Sequence, residues 1–202
     1  MIPRAYDIAL LPTARVTERA VSTSEKLREQ AVRFTLHPTG PFPHLSLYMV
    51  SLSDRVIASV VERLSRIAQE TPKLVLTATE YSQGRGYLSV AYGRLVTLDA
   101  LQMTVITAVN PLRDGLMSDD AVRLQVSTGI QRENLERYGY VDVGSLFRPH
   151  VTLTRFELET VHAVSELPDL KQFTGVFSEL GLFELGDSGT CVRKVSSMAL
   201  SN

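Results

Sequence analysis

Two short segments of the chain share one pattern of hydrophobic and polar positions. Within residues 44–50 and 150–156, polar and apolar side chains alternate from a histidine onward. Alternation with a period of two is typical of a β-strand that has one polar face and one apolar face. The sequence therefore predicts two strands in which His44 and His150 lie on the polar faces.

Other segments have the 3.6-residue period of amphipathic helices, as at Val56, Val60, Leu64 and Ile67. The pattern predicts helices over residues 17–34, 53–69, 96–109, 119–138 and 157–167. It predicts further strands over residues 6–11, 73–81, 86–92, 174–184 and 190–199. The order helix, histidine strand, helix and hairpin occurs twice, which indicates an α+β protein built from two similar halves.

Composition narrows the class of protein without naming a function. With 44% hydrophobic residues, 21% charged residues and a net charge of −1, the 202-residue chain is typical of one compact unit, residues 1–202. The near-neutral net charge argues against non-specific binding to long duplex DNA. We expect no disulfide because Cys191 is the single cysteine, and we expect no membrane span. A cytoplasmic monomer is the default expectation.

The histidine strands also match each other residue by residue. Residues 43–47 are Pro-His-Leu-Ser-Leu, and residues 149–153 are Pro-His-Val-Thr-Leu. Because strand side chains alternate between faces, Ser46 shares a face with His44, and Thr152 shares a face with His150. A chance match of this template at two of four histidines is improbable, so the two strands are the candidate site.

At these residues the chain resembles the 2H phosphoesterase superfamily, which includes 2′-5′ RNA ligase-like and cyclic phosphodiesterase proteins. The resemblance implies a bilobal α+β fold with outer helices. It further implies two antiparallel sheets around a central cleft, related by a pseudo-two-fold axis, with one motif from each lobe. The second motif ends in Arg155, and in this respect it resembles the RNA ligase-like branch, where an arginine commonly closes the motif.

Two imidazoles on opposite sides of a phosphate can act as base and acid at neutral pH, because histidine titrates in that range. The hydroxyls of Ser46 and Thr152 can donate hydrogen bonds to the non-bridging oxygens, where negative charge builds up. This chemistry requires no metal ion and no cofactor. The pattern does not assign the roles of base and acid to His44 and His150, and the near-symmetric motifs allow them to reverse.

Two further residues are candidate substrate contacts, each with an alternative. Tyr48 continues the face of His44 and Ser46, so it either stacks on a nucleobase or is an ordinary strand aromatic. Ideal alternation points Arg155 away from His150. Either a twist at the strand end turns Arg155 back, or it is a surface ion-pair partner. Cys191 is expected to be a small core residue.

The sequence thus predicts a metal-independent phosphodiesterase. Its expected substrates are 2′,3′-cyclic phosphates or 2′-5′ phosphodiester bonds of RNA ends or small nucleotides. The alternative is a nucleotide- or RNA-binding module that keeps the cleft but has little turnover. A zinc protein using His44 and His150 is disfavoured, because serine and threonine are poor zinc ligands.

Overall fold

The chain folds into two antiparallel sheets with helices on their outer sides, which confirms the predicted α+β class. The computed structural model describes residues 3–159, 164 and 166–202. The strands are β1 (Arg4–Pro12), β2 (Val32–Thr35), β3 (Leu45–Leu52), β4 (Leu74–Leu76), β5 (Ala78–Gly84), β6 (Tyr87–Tyr92), β7 (His150–Phe156), β8 (Gly175–Leu185) and β9 (Cys191–Ala199). The α-helices are α1 (Ala14–Lys26), α2 (Ile57–Glu70), α3 (Val96–Val109), α4 (Ser118–Val126) and α5 (Gly129–Tyr138).

The first sheet carries the first histidine motif. Its strand order is β3-β1-β8-β4, and β9 pairs with the part of β8 that β4 leaves free. The predicted closing hairpin is therefore present as β8 and β9. Strand β3 lies at one edge of this sheet and pairs with β1 alone.

The second sheet has the order β2-β7-β6-β5 and carries the second motif on β7, an inner strand. Strands β3 and β7 contact each other between the two sheets. Apolar residues of both sheets, such as Leu45 and Val151, belong to one buried cluster. The predicted two-sheet architecture thus brings the two motif strands together at the centre of the molecule.

The helices pack on the sheets through the faces that their periodicity predicts. Val60, Leu64 and Ile67 of α2 are buried, and this helix contacts α3, β8 and β9. Helix α3 begins at Val96 and ends at Val109, as predicted from the sequence. Within the part of the chain that the structure describes, no helix has both the length and the apolar character needed to cross a membrane.

The predicted helix over residues 17–34 is wrong in its second half. Helix α1 ends at Lys26, and Ala31 takes a left-handed backbone conformation with φ of 53°. This conformation interrupts any helix, and the chain enters β2 at Val32. The alternation of Val32, Arg33 and Phe34 is typical of a strand, but the apolar spacing that predicted a helix extends over the same residues.

Two other predicted elements are divided in the structure. The single helix expected over residues 119–138 is two helices, because Ser127 and Thr128 adopt extended backbone between α4 and α5. The strand expected over residues 73–81 is split into β4 and β5, which belong to different sheets. Residues 157–159 are not helical, and residues 160–163 and 165 of the helix predicted over 157–167 lie outside the described residues.

Candidate active site

His44 and His150 are anchored in the same way at the start of their strands. Nδ1 of His44 lies 2.7 Å from the carbonyl oxygen of Phe42, and Nδ1 of His150 lies 2.7 Å from that of Arg148. A carbonyl can only accept a hydrogen bond, so each Nδ1 carries the proton. Each neutral imidazole therefore presents an unprotonated Nε2, the form that a general base requires.

The rings of His44 and His150 interact electrostatically. Burial and, to a smaller extent, the nearby charge of His150 lower the pKa of His44 to about 4, against the opposing hydrogen bond to Phe42. The side chain of His44 is 11% exposed, whereas His150 is half-buried. The fold thus brings the two predicted histidines to one site with unequal access to solvent.

A β-bulge lies at the same point of each motif, three residues after the histidine. In β3, Leu47 is the extra residue between the pairs that Ser46 and Tyr48 form with β1. In β7, Leu153 is the extra residue between the pairs of Thr152 and Thr154 with β6. A bulge shifts the alternation of side chains by one position, so the faces are exchanged beyond it.

The bulge in β3 decides between the two alternatives for Tyr48 in favour of an ordinary strand aromatic, and the expected place of Tyr48 on the face of His44 is wrong. Instead of continuing the face of His44, Tyr48 is fully buried in the core. Its hydroxyl donates a hydrogen bond to the carbonyl oxygen of Tyr138 at 2.6 Å and also lies 3.0 Å from Oδ1 of Asn110. A side chain held in this way is not available to stack on a nucleobase.

The bulge in β7 has the opposite effect on Arg155, which it turns toward the face of His150 and Thr152. The guanidinium lies 3.3 Å from Oγ of Ser188, 4.7 Å from the ring centroid of Tyr87, and 2.8 Å from Oε1 of Glu159. Both predicted alternatives therefore hold in part: the side chain is re-aimed, by a bulge rather than a twist, and it also forms an ion pair.

The two hydroxyls of the motifs lie on the histidine faces, as predicted, but they have different partners. Oγ of Ser46 donates a hydrogen bond to Oδ2 of Asp7 at 2.6 Å. Oγ1 of Thr152 accepts one from Oγ of Ser89 at 3.2 Å, so its own proton is not used within the described part of the chain and can be donated to a ligand. Each hydroxyl is thus fixed by a residue of the neighbouring strand.

Asp7 is the functional candidate that the sequence analysis missed. It lies on β1, is fully buried, and its Oδ2 is 3.4 Å from Nε2 of His44 and 3.7 Å from Sγ of Cys191. Burial raises the pKa of Asp7 to about 7, although hydrogen bonds from Ser46 and Cys191 act in the opposite direction. A single carboxyl inside the apolar strand at residues 6–11 was the signal available in the sequence.

Asp7, His44 and Cys191 also form the one group of three side chains, among the described residues, with ligand atoms close enough to surround a metal ion. These atoms lie within 4.8 Å of one another. Metal binding requires a thiolate, but burial and the neighbouring Asp7 raise the pKa of Cys191 well above its usual value. The group is therefore better suited to holding protons than to holding a metal ion. Cys191 is buried, as predicted.

A polar cavity of about 730 Å³ opens beside the end of β7. Two basic and two acidic side chains line it together with hydroxyl and apolar groups: Arg33, Arg155, Glu157, Asp187, Ser188, Thr190, Phe34 and Val192. The size is within the range of small-molecule sites. Because Arg155 shares the face of His150, this cavity continues the histidine site along the strand.

Comparison with solved structures finds matches over the whole chain. The crystal structure of Escherichia coli LigT in apo form is 18% identical, with a TM-score of 0.61 and complete coverage of both chains (100% of each). E. coli LigT complexed with 3′-AMP is 18% identical over 99% of each chain, with a TM-score of 0.61. The protein TT0787 of Thermus thermophilus is 17% identical over 97% of each chain, with a TM-score of 0.58. A comparison with curated protein sequences finds no match.

The fold is that of the LigT-like 2H phosphoesterases, which confirms the resemblance carried by the two histidine motifs. The chain belongs to the DUF1045 family, whose model is described as "Protein of unknown function (DUF1045)" and matches residues 50–177. The matched range contains His150 and Thr152 and begins after His44 and Ser46.

Proposed function

We propose that this protein is a metal-independent phosphodiesterase that hydrolyses 2′,3′-cyclic phosphate or 2′-5′ phosphodiester bonds. RNA ends and small nucleotides are the proposed substrates, and a reducing cytoplasm, suited to the free thiol of Cys191, is the proposed compartment. His44 and His150 act as acid and base. The observation that carries this proposal is the matched anchoring of the two rings, each with Nδ1 bound to a carbonyl oxygen at 2.7 Å.

Hydrolysis of a cyclic phosphate requires a proton to leave the attacking water and another to reach the departing ribose oxygen. One Nε2 accepts the first proton, and the other, when protonated, donates the second. The hydroxyl of Thr152 has its own proton available, since it accepts rather than donates toward Ser89. It donates a hydrogen bond to a non-bridging oxygen, where charge develops in the transition state.

The surroundings of the site favour a short substrate. The cavity beside the end of β7 offers the guanidinium groups of Arg155 and Arg33, balanced by Glu157 and Asp187, and room for one further nucleotide unit. The net charge of −1 offers little attraction for a long polyanion. The structures of E. coli LigT with 3′-AMP and with ATP support a nucleotide as the ligand class.

The test is a hydrolysis assay in the presence of EDTA against a panel of substrates. The panel contains 2′,3′-cyclic mononucleotides, RNA with a cyclic-phosphate end, 2′-5′ oligoadenylate and cyclic dinucleotides. We expect turnover of at least one cyclic phosphate or 2′-5′ substrate. His150→Ala should abolish this turnover, while His37→Ala, on an exposed loop, serves as the matched control and should retain it.

Two results would contradict the proposal. Activity that EDTA removes and a divalent metal ion restores would show that the metal, rather than the histidine pair, drives the reaction. Nucleotide binding without turnover of any panel member would instead identify the chain as a binding module that retains the cleft.

A further inference from the structure

The environments of the two catalytic candidates differ in one respect that the motif symmetry does not predict. Nε2 of His44 faces Oδ2 of Asp7 at 3.4 Å. Among the described residues, no carboxylate forms an ion pair or hydrogen bond with His150 in this way. Asp142 acts on His150 through its charge without such a contact. A carboxyl group therefore lies beside His44 and makes no such contact with His150.

We propose that Asp7 and His44 hold one proton between them, and that this makes His44 the general acid and His150 the general base. The inference rests on the proposed phosphodiesterase function and deepens it, because it assigns the two roles. Asp7 is a positioning residue in this account, since it acts through His44 rather than on the substrate.

The contacts of Asp7 support a shared proton. Its Oδ2 accepts hydrogen bonds from the hydroxyl of Ser46 at 2.6 Å and the thiol of Cys191 at 3.7 Å, and it lies 3.4 Å from Nε2 of His44. Its Oδ1 is buried and has no hydrogen-bond partner among the residues that the structure describes. A buried carboxylate with one unpartnered oxygen is costly unless a positive charge lies beside it. A proton held between Oδ2 of Asp7 and Nε2 of His44 removes this cost.

The groups around Asp7 leave His44 as the natural partner for this proton. Asp7 faces His44 and Ser46 of the β3 motif and Cys191 of β9. Burial raises the pKa of the Tyr140 hydroxyl, and the charge of Asp7 contributes to this increase. Burial raises the pKa of Asp7 to about 7 and lowers that of His44 to about 4. The pair as a whole therefore keeps one titratable proton between these two values, whichever atom carries it.

The reaction balances with these roles. Nε2 of His150 takes a proton from water as the water oxygen forms a bond to phosphorus. The bond between phosphorus and the ribose oxygen breaks, and that oxygen receives the proton from Nε2 of His44. The products are a phosphate monoester and a free hydroxyl. His150 then returns its proton to solvent, and the Asp7–His44 pair takes one up.

The first test needs no substrate. In the full-length protein, we expect the ¹⁵N signals of the His44 ring to show a step near pH 7, where the pair loses its proton. Asp7→Asn keeps the shape and the hydrogen bond from Ser46 but cannot hold the proton, so this step should disappear. Asp142→Asn removes a carboxyl that interacts with the other histidine through its charge, and should leave the His44 step in place. An unchanged step in Asp7→Asn, or no step in the wild-type protein, would overturn the proposal.

The second test separates the acid from the base. A nitrophenyl phosphodiester of a nucleoside releases a leaving group that needs no proton, whereas a 2′,3′-cyclic phosphate releases a ribose alkoxide that does. Asp7→Asn should slow the cyclic substrate about 10- to 100-fold and the nitrophenyl substrate much less. His150→Ala should slow both. Equal losses on both substrates in Asp7→Asn would contradict the assignment.

The two tests also distinguish this inference from the proposed function. A His44 step that depends on Asp7, in a protein without turnover of any phosphodiester, would support the shared proton and refute the enzymatic function. Turnover that requires both histidines, with an unaltered His44 step in Asp7→Asn, would support the enzyme and refute the role of Asp7.

Discussion

His44 and His150 are each bound through Nδ1 to the carbonyl oxygen two residues earlier, at 2.7 Å in both cases. The residue between is a proline in both motifs, Pro43 and Pro149. Proline fixes its own φ angle and favours an extended residue before it. The repeated Pro-His pair thus orients both rings alike and selects the tautomer in which Nε2 is free to take a proton.

The hydroxyls of the motifs provide the first prediction. Thr152→Ala removes a donor to the substrate, so kcat should fall about 10- to 1000-fold with the fold intact. Ser46→Ala should lower kcat by an amount in the same range, since it also removes the hydrogen bond that fixes Asp7 beside His44. The measurement is kcat on a 2′,3′-cyclic nucleotide with circular dichroism as the fold control. Full activity in both variants would show that the hydroxyls are ordinary strand residues.

Tyr48 provides a prediction of the opposite kind. Because Tyr48→Phe removes the donor to the buried carbonyl of Tyr138, it should lower the free energy of unfolding by about 1–3 kcal/mol. KM and kcat should change by less than about two-fold, since the ring does not reach the substrate face. Urea denaturation and steady-state kinetics check the two halves. A raised KM with unchanged stability would mean that Tyr48 contacts the substrate after all.

For Arg155, the effect should depend on the length of the substrate. Arg155→Ala should raise KM about 10- to 100-fold for a dinucleotide with a cyclic-phosphate end, since it removes a charge-assisted hydrogen bond. The effect on a cyclic mononucleotide should be smaller, because Arg155 lines the neighbouring cavity. Arg193→Ala, an exposed arginine paired with Glu184, is the matched control and should leave both KM values unchanged. Equal losses on both substrates would place Arg155 at the reacting phosphate.

Asp7 gives a prediction for stability as a function of pH. Its pKa is raised to about 7, so between about pH 4 and 7 the folded protein keeps a proton that the unfolded chain has released. The contribution of Asp7 to stability is therefore present at low pH and is lost as the pH rises through this range. Asp7→Asn removes that loss. Its free energy of unfolding, relative to that of the wild-type protein, should increase by about 1–3 kcal/mol from pH 4.5 to pH 7.5.

Urea denaturation of both proteins at several pH values measures this difference, and taking the difference removes the pH dependence they share. A constant or decreasing difference would show that Asp7 is ionised throughout this pH range and that burial does not raise its pKa.

The sequence was sufficient for the two motif strands, since the alternation around His44 and His150 is strong and the structure places β3 and β7 where it predicts. It was not sufficient for the residues beyond them. The bulges at Leu47 and Leu153 depend on pairing with β1 and β6, which are distant in the chain, so alternation alone assigned Tyr48 to the wrong face. Asp7 was missed for the same reason, because its partners come from β3 and β9.

The central claim is that His44 and His150 act together on one phosphate. The most direct measurement compares kcat/KM of His44→Ala, His150→Ala and the double variant on a 2′,3′-cyclic nucleotide in EDTA. Each single variant should lose about 100-fold or more. The double variant should be far less impaired than the product of the two losses, because residues that act as a unit are not additive. A double variant that shows the full product would mean that the histidines act independently, and the paired acid–base mechanism would be wrong.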